Sequence, residues 1–173
     1  MNEQIFFWFY YLGQKLGSWP VYFLASLLPW FLGLGLIIWF LVSKHRLRVL
    51  RIIFLSLAAA LGAWFLTNLF KYNLFNPRPF EILGIVPIIT TNLGDAWPSG
   101  HATFMSALAV ALWSQDKKIG IIFFGAALVV GLARIMAGVH YPLDVLSGWL
   151  LGSLVGYGLI FVLSRLKIDI QAT

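Results

Sequence analysis

The chain has 173 residues, of which 61% are hydrophobic and only 10% charged, and its mean hydropathy is +0.89. A water-soluble domain carries roughly a quarter of its residues as charges, so this composition excludes an ordinary soluble fold and points to the bilayer as solvent. Cysteine is absent, which removes disulfide and thiolate chemistry, and the net charge of +6 comes from short basic clusters between apolar runs, not from the interleaved patch that nucleic acid needs.

The elements follow from the charges that punctuate the chain, because a spanning helix needs about 20 mostly apolar residues. Residues 5–12 (IFFWFYYL) are too few to span and crowded with aromatics, which favour headgroup depth; they predict an interfacial N-terminal helix, with a sixth span as the alternative. Glu3 stands where a signal peptide would carry a cation, so this segment is expected to stay in the mature protein. Five spans are predicted: from Pro20 to Val42, between Arg51 and Lys71, between Asp95 and Asp116, from Lys118 past Arg134, and between Asp144 and Arg165. The fourth must run beyond Arg134, because the apolar gap before it is only about 22 Å of helix at a rise of 1.5 Å per residue. No linker, repeat or low-complexity tract divides the chain, so the expectation is one all-α membrane-embedded domain over 1–173.

Basic residues set the orientation. Lys44, Arg46, Arg48 and Arg51, then Lys117 and Lys118, then Arg165 and Lys167 fall on one side by the parity of five spans, and the positive-inside rule makes that side cytoplasmic. The expected location is the inner or plasma membrane, with the C-terminus cytoplasmic. Lys71, Arg78, Arg134, His101, His140 and Asp144 then meet at the outer end.

Each of these has a bland reading alone. Lys71 and Arg78 can snorkel, Pro98 can open a helix, His101 can hydrogen-bond within a bundle, and Asp144 can oppose a helix dipole. Together they have a chemical one, since intramembrane ionisable residues are costly and seek partners. Three cations suit the nonbridging oxygens of a phosphate. A helix opening at Pro98 would point the free N–H groups of Ser99, Gly100 and His101 at the same anion, with Gly100 allowing close backbone approach. Asp144, four residues after His140, can orient that imidazole and leave its other nitrogen to attack phosphorus. His101 is then the general acid, and a phosphohistidine intermediate follows. Two histidines and an aspartate could also bind zinc, but three neighbouring cations would repel a divalent ion.

The residues KYNLFNPRP from Lys71, PSGH from Pro98 and ARIMAGVHYPLD from Ala133 resemble, in order, the three motifs of the type 2 phosphatidic acid phosphatase superfamily of membrane lipid phosphatases. That resemblance implies phosphate binding by Lys71, Arg78, Ser99, Gly100 and Arg134. It also implies His101 as acid, His140 as nucleophile supported by Asp144, and no metal cofactor. Ala133 stands where the pattern has Ser, which removes a hydroxyl contact. The compact layout is most similar to the small bacterial undecaprenyl diphosphate phosphatases, although their second motif commonly has Asp where Gly100 stands.

The expected partners are the bilayer and a membrane lipid phosphate or diphosphate. Phosphatidic acid and phosphatidylglycerol phosphate are alternative substrates, lipid phosphotransfer an alternative reaction, and a non-catalytic anionic-lipid binder or transporter an alternative class. The sequence leaves the oligomeric state open.

Overall fold

The computed structural model describes residues 2–166; Lys167, counted above in the basic tail, lies outside them. Among the described residues the chain is all-helical, and four helical stretches are long and apolar enough to cross a membrane: Ser18–Val42, Arg46–Asn73, Lys117–Met136 and Pro142–Arg165. Their outward faces suit lipid, with Trp30 77%, Phe54 68% and Leu154 69% exposed.

Helix α1 (Asn2–Leu16) has Glu3 in its first turn and Lys15 in its last, the arrangement that complements the helix dipole. It buries Phe6 and Tyr10 against the bundle and turns Trp8 and Tyr11 outward. Gly13 lets it touch the next layer, because a Cβ there would lie 2.6 Å from the carbonyl oxygen of Met136. The first long stretch is α2 (Ser18–Tyr22), a π-helical turn over Phe23–Leu27, and α3 (Leu28–Val42). Pro29 lacks the N–H that would bond to the carbonyl of Ala25, and the wide turn sits where that bond is missing.

Helix α4 (Arg46–Asn73) has 28 residues, or about 42 Å of helix against a hydrocarbon core of about 30 Å. Both ends therefore reach beyond the apolar layer, with Arg46, Arg48 and Arg51 at one and Lys71 at the other. A short α5 (Pro79–Leu83) and an irregular segment lead to α6 (Gly100–Gln115), the central helix, packed on α4, on α7 (Lys117–Met136) and on α8 (Pro142–Arg165). Helix α7 does continue past Arg134, to Met136.

The contact between α6 and α8 fixes the site's frame. Gly148, Gly152 and Gly156 recur every fourth residue along α8 and meet the carbonyl oxygens of Ser99, Thr103 and Ala107 on α6, also four apart. A Cβ would lie 2.7 Å from the Ser99 oxygen at position 148 and 2.8 Å from the Ala107 oxygen at position 156, and would run into Thr103 at position 152. Small residues thus bring the two backbones together, as in tightly packed membrane helices. The N–H of Ser99 donates to the carbonyl of Asp144 at 2.9 Å, locking the start of α6 to the start of α8.

Candidate active site

At this shared end the chain brings Lys71, Arg78, Ser99, Gly100, His101, Arg134, His140 and Asp144 into one neighbourhood. Five of them come from helix ends, Gly100 and His101 from the first turn of α6. Lys71 closes α4, Arg134 lies in the last turn of α7, and Asp144 in the first turn of α8. Gly138, at φ 78°, turns the chain sharply after α7, and Pro142 opens α8, so His140 is held in a five-residue connection. That imidazole is 1% exposed, and Arg78 and Arg134 are buried beside it.

Arg78 is aimed by backbone oxygens. Its Nε donates to the carbonyl of Asn92 at 2.7 Å and its Nη1 to the carbonyl of Val139 at 3.0 Å. The same Nη1 lies 3.4 Å from Nε2 of His140. Arginine can only donate, so Nε2 presents its lone pair there and the ring proton is left on Nδ1. Nδ1 faces Asp144, 3.6 Å from Oδ2. Lys71 is aimed in the same manner, its Nζ donating to the carbonyl of Asp95 at 2.7 Å.

Burial lowers the His140 pKa well below its ordinary value, and the positive charges of Arg134, Arg78 and Lys71 push it further in that direction. The imidazole is therefore neutral at neutral pH, the state in which its nitrogen is a nucleophile. Burial also lowers the Arg78 guanidinium from its ordinary value, an effect opposed by the negative charges of Asp95, Glu81 and Asp144. Three buried donors in the cluster, Oγ of Ser99, Nε of Arg134 and Nδ1 of His140, have no hydrogen-bond partner within the chain, and an anion seated among the cations would satisfy the first two.

His101 stands differently. It is exposed and lines an apolar groove of about 460 Å³ between α3, α4 and α6, together with Trp30, Leu61, Trp64, Gly100 and Phe104. Arg134, Lys71 and Arg78 are within electrostatic reach of it, so it belongs to the cluster while facing the groove. Among the described residues no three His, Asp or Glu side chains converge as metal ligands.

Two details differ from the sequence expectation. The helix opens at Gly100, not at Pro98, because Ser99 has an extended backbone with φ −70° and ψ 112° and serves as its cap residue. The Ser99 N–H is spent on Asp144, so the free N–H groups of the first turn begin at Gly100. Ala133 is buried in an apolar cluster with Val21, Ala25, Ala137 and Val139.

Sequence reasoning passed over Glu81. Its Oε2 accepts the N–H of Arg78 at 2.7 Å and the N–H of Gly94 at 2.9 Å. The signal was present as Arg-Pro-x-Glu, a helix start with an acid at its third position. Tyr10 was also missed: its hydroxyl donates to the carbonyl of Val86 at 3.1 Å, and its ring lies where a Cβ on Gly138 would meet it at 3.2 Å.

Known proteins are similar to this chain in sequence and in fold. The chain is 34% identical over 137 residues to the bacitracin transport permease protein BcrC of Bacillus licheniformis, covering 78% of this chain and 66% of that one. It is 38% identical over 92 residues to an undecaprenyl-diphosphatase of Sulfolobus acidocaldarius, covering 50% and 43% respectively. The chain thus spans about two thirds of the first relative's length and under half of the second's. The fold is similar to the crystal structure of Aquifex aeolicus LpxE, with a TM-score of 0.59, 26% identity, and 91% of this chain and 84% of that one covered. Residues 49–167, which include every residue of the cluster, match the family model of the PAP2 superfamily, and the chain belongs to that superfamily.

Proposed function

We propose that this protein is a lipid phosphatase that hydrolyses a lipid phosphate or diphosphate at the outer face of the membrane, with undecaprenyl diphosphate as its leading substrate. The observation that carries this reading is the approach of Arg78 Nη1 to His140 Nε2, at 3.4 Å, inside a cluster of three cations. A phosphate oxygen held by Arg78 would bring its phosphorus to the one ring nitrogen that carries a lone pair.

In the first step Nε2 of His140 forms a bond to phosphorus as the bond to the leaving oxygen breaks. His101 gives that oxygen its proton. The leaving group is the lipid alcohol from a monophosphate or the lipid monophosphate from a diphosphate. Asp144 supports the positive charge that develops on the ring through Nδ1–H. In the second step His101 takes a proton from water, the water oxygen bonds to phosphorus, and the phosphorus–nitrogen bond breaks to release inorganic phosphate. Lys71, Arg78, Arg134, Oγ of Ser99 and the N–H of Gly100 hold the equatorial oxygens, whose charge grows in the transition state. None of these roles calls for a metal ion.

The groove supports a lipid as the phosphate's carrier. It reaches His101 and Gly100 at one end, and its walls on α3 and α4 carry Trp30 and Leu61, which also face lipid, so a hydrocarbon chain can lie in it while the headgroup sits among the cations. The relatives named undecaprenyl-diphosphatase favour a polyprenyl chain over a diacyl one. For the topology, five spans with α6 as the third and α1 as an interfacial helix accord with the antiparallel order of α4, α6, α7 and α8. That order gathers Arg46, Arg48, Arg51, Lys117, Lys118 and Arg165 at the end opposite the site, which the positive-inside rule makes cytoplasmic.

The test is phosphate release by the purified protein from undecaprenyl diphosphate, phosphatidic acid and phosphatidylglycerol phosphate, with a chelator present. The expected result is release that survives the chelator, is fastest from the polyprenyl diphosphate, and is abolished in His140→Ala. A His140→Ala protein that still turns over would overturn the mechanism, and an inert wild type that binds these lipids would favour a binder.

A further inference from the structure

Two helices at this site start in the same way. In α8 the sequence Tyr141-Pro142-x-Asp144 places an acid at the third helical position, and Oδ2 of Asp144 accepts the Tyr141 N–H at 2.7 Å. In α5 the sequence Arg78-Pro79-x-Glu81 does the same, with Oε2 of Glu81 on the Arg78 N–H at 2.7 Å. The second case differs in one respect, because the Glu81 oxygen also accepts the N–H of Gly94, thirteen residues on.

That extra bond reaches the segment whose carbonyls aim the cations. Asn92 O holds Nε of Arg78, and Asp95 O holds Nζ of Lys71, both at 2.7 Å. Gly94 lies between them in sequence. The same segment is tied back by Asn76, whose N–H donates to Gly94 O at 3.2 Å and whose carbonyl accepts from Ala96 N at 3.0 Å. Gly94 itself cannot be exchanged cheaply: its φ is +72°, and a Cβ there would meet the ring of Phe75. One carboxylate oxygen therefore fixes the backbone of Arg78 and, through Gly94, the carbonyls that orient both Arg78 and Lys71.

We propose that Glu81 is a positioning residue for the phosphate-binding cations, acting through its reach to Gly94 and the Arg78 backbone and not through its charge. It touches no reacting atom. The inference rests on the reading of Lys71 and Arg78 as phosphate-binding groups.

Charge and reach separate cleanly in two variants of the full chain. Glu81→Gln keeps the reach and an oxygen able to accept both N–H groups, but loses the charge. Glu81→Asp keeps the charge and loses one methylene of reach. Each is purified in detergent and measured for kcat and KM of phosphate release from a lipid diphosphate, for inhibition by inorganic phosphate, and for its thermal unfolding midpoint.

In Glu81→Asp, kcat/KM is expected to fall by about 100-fold, the cost of displacing a binding group by roughly 1 Å, and inorganic phosphate to inhibit correspondingly less well. Glu81→Gln is expected to stay within about threefold of the wild type in both readouts. The unfolding midpoints of the two variants should agree, since a purely structural role would lower stability without weakening phosphate inhibition selectively. Equal losses in the two variants, no loss in either, or a larger loss in Glu81→Gln would overturn the proposal. A wild type that neither releases nor is inhibited by phosphate overturns the site reading first, and this inference with it.

Discussion

The carboxylate of Asp144 has two neighbours at one oxygen: Oδ2 accepts the N–H of Tyr141 at 2.7 Å and stands 3.6 Å from Nδ1 of His140. The bland reading of this residue as a helix-start acid is therefore realised, and the same atom faces the imidazole that the proposed mechanism makes the nucleophile. Asp144→Asn separates them. Its amide oxygen can keep the Tyr141 bond while the negative charge beside Nδ1–H is lost, so kcat should fall on the order of 10²- to 10⁴-fold with little change in phosphate inhibition. Asp144→Ala should show the same catalytic loss and in addition lose about 1 kcal/mol of stability with the cap. Equal unfolding midpoints for the two variants would argue against the capping half of this account, and an Asn variant with near-normal kcat against the other.

His140 gives a pH dependence whose sign is fixed by its surroundings. Burial and the charges of Arg134, Arg78 and Lys71 hold its folded pKa well below the ordinary value of about 6.5. Above that ordinary value both the folded and the unfolded chain carry a neutral ring, and the group contributes no slope. As pH falls below it the unfolded chain takes up a proton that the folded chain refuses, so stability drops until the folded pKa is passed. The unfolding midpoint of the wild type should thus decline more steeply between pH 7 and pH 5 than that of His140→Asn. Saturating inorganic phosphate should flatten the wild-type curve, because an anion among the cations offsets the charges that keep the ring neutral. Parallel curves for the two proteins would contradict this assignment.

What the sequence made legible at this site is what costs most to place in a membrane. Lys71, Arg78, Arg134, His140 and Asp144 are conspicuous because ionisable groups between apolar runs demand a reason, and the same runs delimit the long helices. The Glu81 bond to Gly94 and the Tyr10 bond to Val86 were not legible as contacts, because a side chain meeting a backbone group of an irregular segment leaves no periodic trace. Ala133 illustrates a different limit. Its neighbour Arg134 belongs to the cluster, but successive positions on a helix point about 100° apart, so a motif written as adjacent letters does not place adjacent letters on one face.

The glycine row on α8 carries a prediction about the site from well away from it. Gly152→Val would drive a branched side chain against the Thr103 carbonyl and Oγ of Ser106, where even a Cβ has no room. Overpacking of this kind costs about 1–3 kcal/mol, and here it can be relieved only by sliding or separating α6 and α8. That motion moves His101 relative to His140, so activity should fall by more than the loss of folded protein accounts for. Gly158→Val, with nothing within 4 Å of its Cβ position, is the control and should leave catalysis unchanged. Similar activity per folded molecule in the two variants would show that the α6–α8 contact does not set the site's geometry.

Ala133 supplies the last prediction, because the pattern that this chain resembles has a serine there and the structure gives that position an apolar environment. Ala133 is 1% exposed and packed among Val21, Ala25, Ala137 and Val139, on the side of α7 that faces α2 and the π turn. A hydroxyl introduced there has no anion to reach; its nearest recourse is the carbonyl of Val129, one turn back along its own helix. Ala133→Ser should therefore leave kcat/KM and phosphate inhibition within about twofold of the wild type. It should lower stability by up to about 1 kcal/mol, the part of a buried hydroxyl's cost that the bond within the helix does not offset. Phosphate inhibition that tightens tenfold would mean the hydroxyl reaches the cation cluster, and the placement of position 133 away from the cations would be wrong.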